Sequence, residues 1–223
     1  GHGGSNAAKA VDATASGDLW DNTFGFSTGA GGRTIKAGPS GAGLVQYTLP
    51  SFADGVAVDV TYESAGENNE GSTALGLVYT GIEGLTVKLG SGNDNSVAGT
   101  DADYTTMSAS YVYGSITAGI SSSEYDHTTA GNDQETQSWG LTYTVTDDIS
   151  VSYGQETIEN GTDTADIEVD GITASYTSGG MTVSAKSVSA DNFDGSSTNA
   201  NNDRSMFKFC LLYTSPSPRD SGK

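Results

Sequence analysis

Side-chain polarity alternates with a period of two through most of the chain after residue 42. In VAVDVTYE, residues 56–63, three Val and one Tyr share one parity, while Ala, Asp, Thr and Glu share the other. Successive side chains of a β-strand point to opposite faces, so this pattern predicts a strand with one apolar and one polar face. The same alternation recurs at 85–90, 138–146, 173–176 and 181–186. The chain is therefore predicted to be all-β.

Short and long connections alternate between these segments. We predict eleven strands, at about 43–50, 56–64, 73–80, 85–91, 103–113, 115–123, 137–146, 149–156, 167–177, 181–188 and from 204 onward. The long connections fall near 65–72, 92–102, 124–136, 157–166 and 189–203. Transmembrane barrels are antiparallel up-and-down sheets with short turns at one rim, here called the short rim, and long loops at the other, the long rim.

Charge and composition exclude several classes of protein. The chain carries 28 Asp and Glu against 9 Lys and Arg, a formal net charge of -19. Such a negative chain is unsuited to nucleic acid, because phosphate contacts require Lys and Arg. No apolar run approaches the roughly 20 residues of a membrane helix, so a membrane could be crossed only by strands.

The two predicted faces differ in what they could contact. The polar faces are mostly Ser, Thr, Gly and Asn, which a packed core would not tolerate without partners but a water-filled lumen would. On the apolar faces, aromatic residues flank a middle of Val, Leu, Ile and Ala: Tyr79, Tyr113, Tyr143 and Tyr176 near short connections, and Tyr62, Trp139 and Tyr153 toward long ones. This placement is typical of an aromatic girdle at a bilayer interface. The alternative is that Tyr is simply a good strand former.

The two ends of the chain differ from its middle. Residues 1–42 are rich in Gly, Ala, Ser and Thr and are predicted to form a long loop. Residues 210–220, CLLYTSPSPRD, contain the single Cys and resemble a translated sequencing adapter. We therefore interpret residues 210–223 as a non-native tail and leave them out of the fold prediction.

Five segments resemble the alphaproteobacterial branch of Gram-negative porins: VQYTLPSFADG at 45–55, LVYTGIEGLTVKLG at 77–90, ASYVYGSITAGIS at 109–121, YTVTDDISVSYGQE at 143–156 and ASYTSGGMTVSAK at 174–186. The resemblance extends over about 10–209. It implies a sixteen-stranded outer-membrane β-barrel with a long third loop folded into the pore. Residues 1–42 would be that loop and 43–209 strands six to sixteen, so the chain would be a fragment without the first five strands.

The same resemblance implies a general diffusion porin, a homotrimeric passive channel rather than an enzyme. On the infolded loop it points to Asp12, Asp18 and Asp21 as constriction carboxylates; the alternative is an ordinary solvated loop. Strand parity adds four pore-lining candidates: Gln46, Asp59, Lys88 and Lys186. The two Lys would be fixed charges that tune ion preference, or would pair structurally with nearby carboxylates.

Partners and ligands follow from charge and from the resemblance. The acidic balance predicts cation preference and no nucleic-acid partner, and the resemblance implies small hydrophilic solutes as cargo. We expect no cofactor, although acidic loops could hold divalent cations that bridge to lipopolysaccharide in the outer-membrane lipid. Asp94, Asp101 and Asp103 faintly resemble a calcium loop but lack its spacing and closing Glu. His2 and His127 are too isolated for a metal triad or a catalytic base.

Two other kinds of protein fit parts of the pattern. A secreted or surface-exposed, acidic, adhesin-like β-protein has a similar composition; in its β-solenoid form it would show a constant repeat, which is missing here. A soluble β-sandwich lectin or hydrolase would need a more apolar interior than these Ser, Thr and Gly faces provide.

Overall fold

The computed structural model describes residues 44–64, 70–95, 101–198 and 203–213. They form one antiparallel sheet of eleven strands, and every strand pairs with its neighbours in sequence. The strands are β1 Leu44–Thr48, β2 Val56–Glu63, β3 Ser72–Tyr79, β4 Leu85–Asp94, β5 Ala102–Tyr113, β6 Ile116–His127, β7 Gln134–Thr146, β8 Ile149–Asn160, β9 Ile167–Ser178, β10 Met181–Asp191 and β11 Arg204–Tyr213. A short 3-10 helix, Ala130–Asn132, lies between β6 and β7.

The predicted all-β, up-and-down architecture is confirmed, with a strand at each of the eleven predicted places. Several strands run further toward the long connections than predicted. Thus β7 begins at Gln134 and β8 ends at Asn160, and these two residues face each other across the ladder. Backbone hydrogen bonds continue past the point where side-chain alternation fades, because they do not depend on the side chain. One meandering sheet is neither a solenoid nor a two-sheet sandwich.

Tight turns close the hairpins at the short rim. The connection between β9 and β10 consists of Gly179 and Gly180, which have φ of 57° and 82°. Two successive positive φ values are what a two-residue hairpin turn of the primed type requires, and glycine adopts them without steric cost. The sequence thus fixes the position of this turn.

The sheet has two faces of different exposure. We call one the sheltered face; it includes Thr61 and Ser108, which are 2% and 4% exposed. The other, the exposed face, includes their chain neighbours Val60 and Met107, which are 42% and 54% exposed. Burial of small polar residues beside exposure of large apolar ones indicates a sheet curled toward its polar face, as in the wall of a membrane barrel.

The sheltered face contains two buried apolar clusters, which the sequence analysis did not predict; one consists of Ala74, Ala102, Tyr104 and Tyr125. Near the long rim, buried side chains of β8, β9 and β10 form a cluster with Phe193 from the β10–β11 connection: Ile158, Ile167, Val169, Val188 and Ala190. Phe193 is only 4% exposed, and the Arg204 guanidinium lies 4.0 Å from its ring centroid. We call this group the rim cluster.

The β10–β11 connection is also hydrogen-bonded to the β8–β9 connection. The Gly195 carbonyl oxygen accepts bonds from the backbone N–H groups of Thr164 (2.8 Å) and Ala165 (3.3 Å). Gly195 has φ of 73°, and the Asp163 carboxylate lies 2.1–2.4 Å from where a Cβ would stand. The β8–β9 and β10–β11 connections are therefore held together by backbone hydrogen bonds beside the rim cluster, an arrangement we call the fastening of the two loops.

The last described strand crosses the predicted start of the non-native tail. Residues Cys210–Tyr213 continue β11 and pair with Met181–Ser184 of β10. Leu211 and Tyr213 lie on the exposed face, so they keep the alternation that a strand needs. Residues 214–223, and the predicted loop at 1–42, lie outside the described residues. Within the described part of the chain, no helix is long and apolar enough to cross a membrane.

Candidate pore wall

Strand register aligns small hydroxyl side chains across the middle of the sheltered face. In one row, Ser108 of β5 faces Ser121 of β6, which faces Ser138 of β7. In the next row toward the long rim, Thr106 faces Ser123, which faces Thr136. These six residues, which we call the hydroxyl wall, form a polar surface without charge.

A row of glycines borders the hydroxyl wall toward the short rim. Gly119, Gly140, Gly154 and Gly171 face one another in turn across β6, β7, β8 and β9. Because glycine has no side chain, nothing projects from the sheet along this row. Together the hydroxyl wall and the glycine row form a surface that projects little from the sheet and can contact water.

Three oxygens of the hydroxyl wall have no protein partner. The Oγ atoms of Ser108, Thr106 and Thr136 are buried without a hydrogen-bond partner among the described residues. An unsatisfied buried hydroxyl costs free energy, and ordered water is the usual partner where protein supplies none. The wall is chemically suited to contact with water.

The structure places all four predicted pore-lining residues on the sheltered face. Asp59 accepts hydrogen bonds from Gln46 Nε2 at 3.3 Å and from Thr48 Oγ1. Lys88 faces Ser108, at one end of the hydroxyl row. Lys186 faces Thr173 on one side and Lys208 on the other. The channel roles of these residues stay a prediction.

Further charged residues of the same face were not among the predicted pore-lining residues. Glu156 faces Ser138 at the end of the row opposite Lys88, and it is 3% exposed. Glu63 is 8% exposed, and its Oε2 has no hydrogen-bond partner among the described residues. Asp94, Arg204 and Lys208 also belong to this face. Strand parity already placed Glu63 beside Asp59 and identifies the others in the same way. The sheltered face thus carries charges of both signs.

The predicted constriction residues Asp12, Asp18 and Asp21 lie outside the described residues. For the faint calcium-loop pattern, register places Asp94 opposite Ala102 and Asp103 opposite Asn93, so the two carboxylates lie on opposite faces of the sheet. Asp94 Oδ2 accepts a hydrogen bond of 3.1 Å from the Tyr125 hydroxyl. In the ranges that the structure covers, no three metal-binding side chains come together. His127 Nδ1 accepts a bond from the Thr129 backbone N–H.

The seven predicted girdle aromatics all lie on the exposed face. Six are substantially exposed: Tyr62, Tyr113, Trp139, Tyr143, Tyr153 and Tyr176; Tyr79 is half-buried. The Trp139 and Tyr153 rings are 5.5 Å apart. Trp139 lies where apolar residues give way to Gln137 and Glu135 along β7. Tyr47 and Tyr111 belong to the same face and were missed; they are 61% and 46% exposed.

This fold is shared with solved outer-membrane structures. The anion-selective porin from Comamonas acidovorans superposes with a TM-score of 0.53 at 16% identity, covering 66% of this chain and 48% of that one. The loop-deletion form of the outer membrane protein OmpT of Vibrio cholerae gives 0.55 at 21%, covering 77% and 62%. OccAB4 of Acinetobacter baumannii gives 0.58 at 13%, covering 78% and 56%.

The chain therefore spans about half to three fifths of these three structures. No curated protein matches it. The family model described as Gram-negative porin matches residues 4–214, nearly the whole chain. A barrel-type sheet, a largely polar sheltered face, an apolar exposed face and this family match agree with one another. The chain belongs to the Gram-negative porin family and is an outer-membrane protein.

Proposed function

We propose that the full-length protein is a general diffusion porin, a passive channel for small hydrophilic solutes and ions. The observation that carries the proposal is the hydroxyl wall with its glycine border. Hydroxyls without a protein partner suit a water-filled path, and uncharged small side chains present no specific site to a solute. A passive path of this kind requires no cofactor and no catalytic residues.

We propose that the channel prefers cations. We assign this preference to the acidic residues of the long connections, which would surround one mouth of the pore. The sheltered face carries four acidic and four basic described residues, so this face itself favours neither sign strongly: Asp59, Glu63, Asp94 and Glu156 against Lys88, Lys186, Arg204 and Lys208. More than half of the Asp and Glu lie in or beside the long connections. A negative mouth raises the local cation concentration and steers cations inward. Anion selectivity is not inferred for this chain from the Comamonas porin, because the two proteins are compared by fold alone.

Within the pore, Gln46, Asp59, Lys88 and Lys186 are proposed to line the path. Asp12, Asp18 and Asp21 are proposed to narrow it from an infolded loop, an assignment that rests on family resemblance alone. Homotrimer assembly is proposed because OmpT of Vibrio cholerae, which shares this fold, has a trimer form. The alphaproteobacterial origin and the adapter-derived tail stay predictions from the sequence.

Planar-bilayer recording of the full-length gene product tests the proposal. We expect stepwise openings, in groups of three for a trimer, and a reversal potential that shows cation preference in 0.1 M KCl. The preference should weaken in 1 M KCl, because the Debye length falls from about 10 Å to about 3 Å and screens the mouth. A folded protein that never conducts would contradict the channel and favour the adhesin-like alternative.

Two single substitutions distinguish the contribution of the sheltered face to ion selectivity from that of the long connections. Asp59→Asn should lower cation preference slightly, and Lys88→Gln should raise it by a comparable amount, with both effects persisting in 1 M KCl. A shift of the reversal potential in the same direction for both substitutions, or anion preference of the unmodified channel, would contradict the assignment of selectivity.

A further inference from the structure

The β10–β11 connection turns back onto the sheltered face of the sheet. Phe193 stands two residues after Asp191, the end of β10, yet it belongs to the buried cluster that contains Val188 and Ala190. Val188 lies three residues before the end of the strand, which corresponds to roughly 10 Å of strand length. The connection therefore descends along the sheet instead of extending away from the long rim.

The rim cluster stands at the same level as the hydroxyl wall. Ile158 of the cluster faces Thr136 of the wall. One row nearer the short rim, Ser138 of the wall faces Glu156, and Glu156 faces Val169 of the cluster. An aromatic ring packed on the rim cluster therefore takes up space at the depth of the hydroxyl wall, on the same side of the sheet.

Residues 192–195 form a turn, which we call the 192–195 turn, and both of its ends are held. Its own hydrogen bond runs from the Gly195 N–H to the Asn192 carbonyl oxygen at 2.7 Å. At the first end, Asn192 Nδ2 donates to the Asp166 carbonyl oxygen at 3.1 Å. At the other end, the Gly195 carbonyl oxygen accepts the two bonds of the fastening. Phe193 is thus presented by a turn that is fixed to the neighbouring connection.

A positive charge lies over the Phe193 ring. The Arg204 guanidinium is 4.0 Å from the ring centroid, a distance at which a cation and the face of an aromatic ring attract each other. Arg204 is itself exposed, whereas Phe193 is buried. Solvent at this level of the sheltered face therefore meets a guanidinium in place of an aromatic ring.

We propose that the 192–195 turn and Arg204 form a constriction of the pore near the long rim, separate from the predicted infolded loop. Phe193 anchors the turn on the wall of the pore, and Arg204 sets the charge that a passing solute meets. Pore diameter and the charges that line a pore decide which solutes pass. The constriction therefore slows larger neutral solutes more than small ions. The proposal rests on the diffusion-porin function proposed above.

Solute uptake by proteoliposomes that contain the full-length protein tests the constriction. Swelling rates are compared in a pentose and in a trisaccharide, and single-channel conductance is recorded beside them. Phe193→Ala should release the turn, raising conductance about 1.5–2-fold and the trisaccharide rate relative to the pentose rate about threefold. Phe207→Ala is the matched control, since it truncates a Phe of β11 that is 71% exposed on the other face of the sheet. It should leave both values unchanged.

Two further variants separate anchoring from charge, and heat-modifiable gel mobility shows that each barrel is folded. Asn192→Gly removes the bond to Asp166 without removing a buried group, and glycine readily adopts the φ of 52° found there. It should raise the relative trisaccharide rate by a smaller factor than Phe193→Ala. Arg204→Met keeps a long side chain over the ring and removes its charge. It should increase cation preference more than it changes the relative trisaccharide rate.

The outcomes distinguish the constriction from the channel itself. Equal values for Phe193→Ala and Phe207→Ala, in a channel that conducts, would overturn the constriction and leave the diffusion porin standing. Should Phe193→Ala fail to fold, an unchanged relative trisaccharide rate in Asn192→Gly would overturn it. A folded, unmodified protein without conductance would contradict the porin function and the constriction together.

Discussion

The hydroxyl wall and the rim cluster occupy the same sheltered face of the same sheet, yet their chemistry is opposite. The hydroxyl wall, on β5 to β7, consists of Ser and Thr, and three of its oxygens have no hydrogen-bond partner in the part of the chain that the structure describes. The rim cluster, on β8 to β10, consists of Ile, Val and Ala beneath Phe193. Thr136 of the wall and Ile158 of the cluster even face each other directly. The rim cluster is apolar where Phe193 of the β10–β11 connection packs on the sheet, and we expect water to contact the hydroxyl wall instead.

The prediction with the largest expected effect removes the Phe193 ring, which packs on the rim cluster. Phe193→Ala deletes a buried aromatic ring from an apolar cluster, and such changes in cores cost about 3–5 kcal/mol. We expect a loss of that order in the free energy of unfolding of the full-length protein in micelles, measured by urea titration. The β10–β11 connection should also become sensitive to protease. Phe52→Ala is the control, since Phe52 is 68% exposed; an equal loss there would show that Phe193 is not a specific anchor.

A reciprocal exchange of side chains tests the two walls against each other. Val169 is fully buried in the rim cluster, so Val169→Thr places a hydroxyl where no water reaches and should cost about 1–3 kcal/mol. Thr136→Val removes a hydroxyl without a protein partner and should be neutral or stabilising by up to about 1 kcal/mol. Urea titration of both variants gives the comparison. Destabilisation by Thr136→Val would mean that lumen water binds this hydroxyl strongly.

The smallest test concerns the fastening of the two loops. Gly114 and Gly195 both have positive φ, but nothing lies within 4 Å of a Cβ at Gly114, whereas Asp163 occupies that space at Gly195. Gly114→Ala should cost about 1–2 kcal/mol from the left-handed backbone alone. Gly195→Ala should cost a further amount of roughly 1 kcal/mol, because Asp163 must move. Equal costs would show that Asp163 does not pack tightly against Gly195.

The sequence predicted the strands and their faces well because both follow from a period of two. Placing Asp59, Lys88 and Lys186 on one face required only parity, and the structure agrees. The rim cluster was missed although Ile167, Val169 and Val188 lay in predicted strands, because Ile158 and Phe193 fell in predicted loops and nothing local brings the five together. The sequence does contain a sign of the cluster, because apolar residues stand at positions whose parity is otherwise polar: Ile158, Ile167 and Val169. Which loop covers which wall depends on contacts between distant residues, and a local pattern does not encode them.

The fastening between the β8–β9 and β10–β11 connections bears on how other molecules would recognise this protein. In barrels of this type the long loops face the outside of the cell. Since the Gly195 carbonyl joins Thr164 and Ala165, an antibody or a phage that binds here would meet both loops as a single discontinuous epitope. A synthetic peptide copied from either loop would present only half of that epitope.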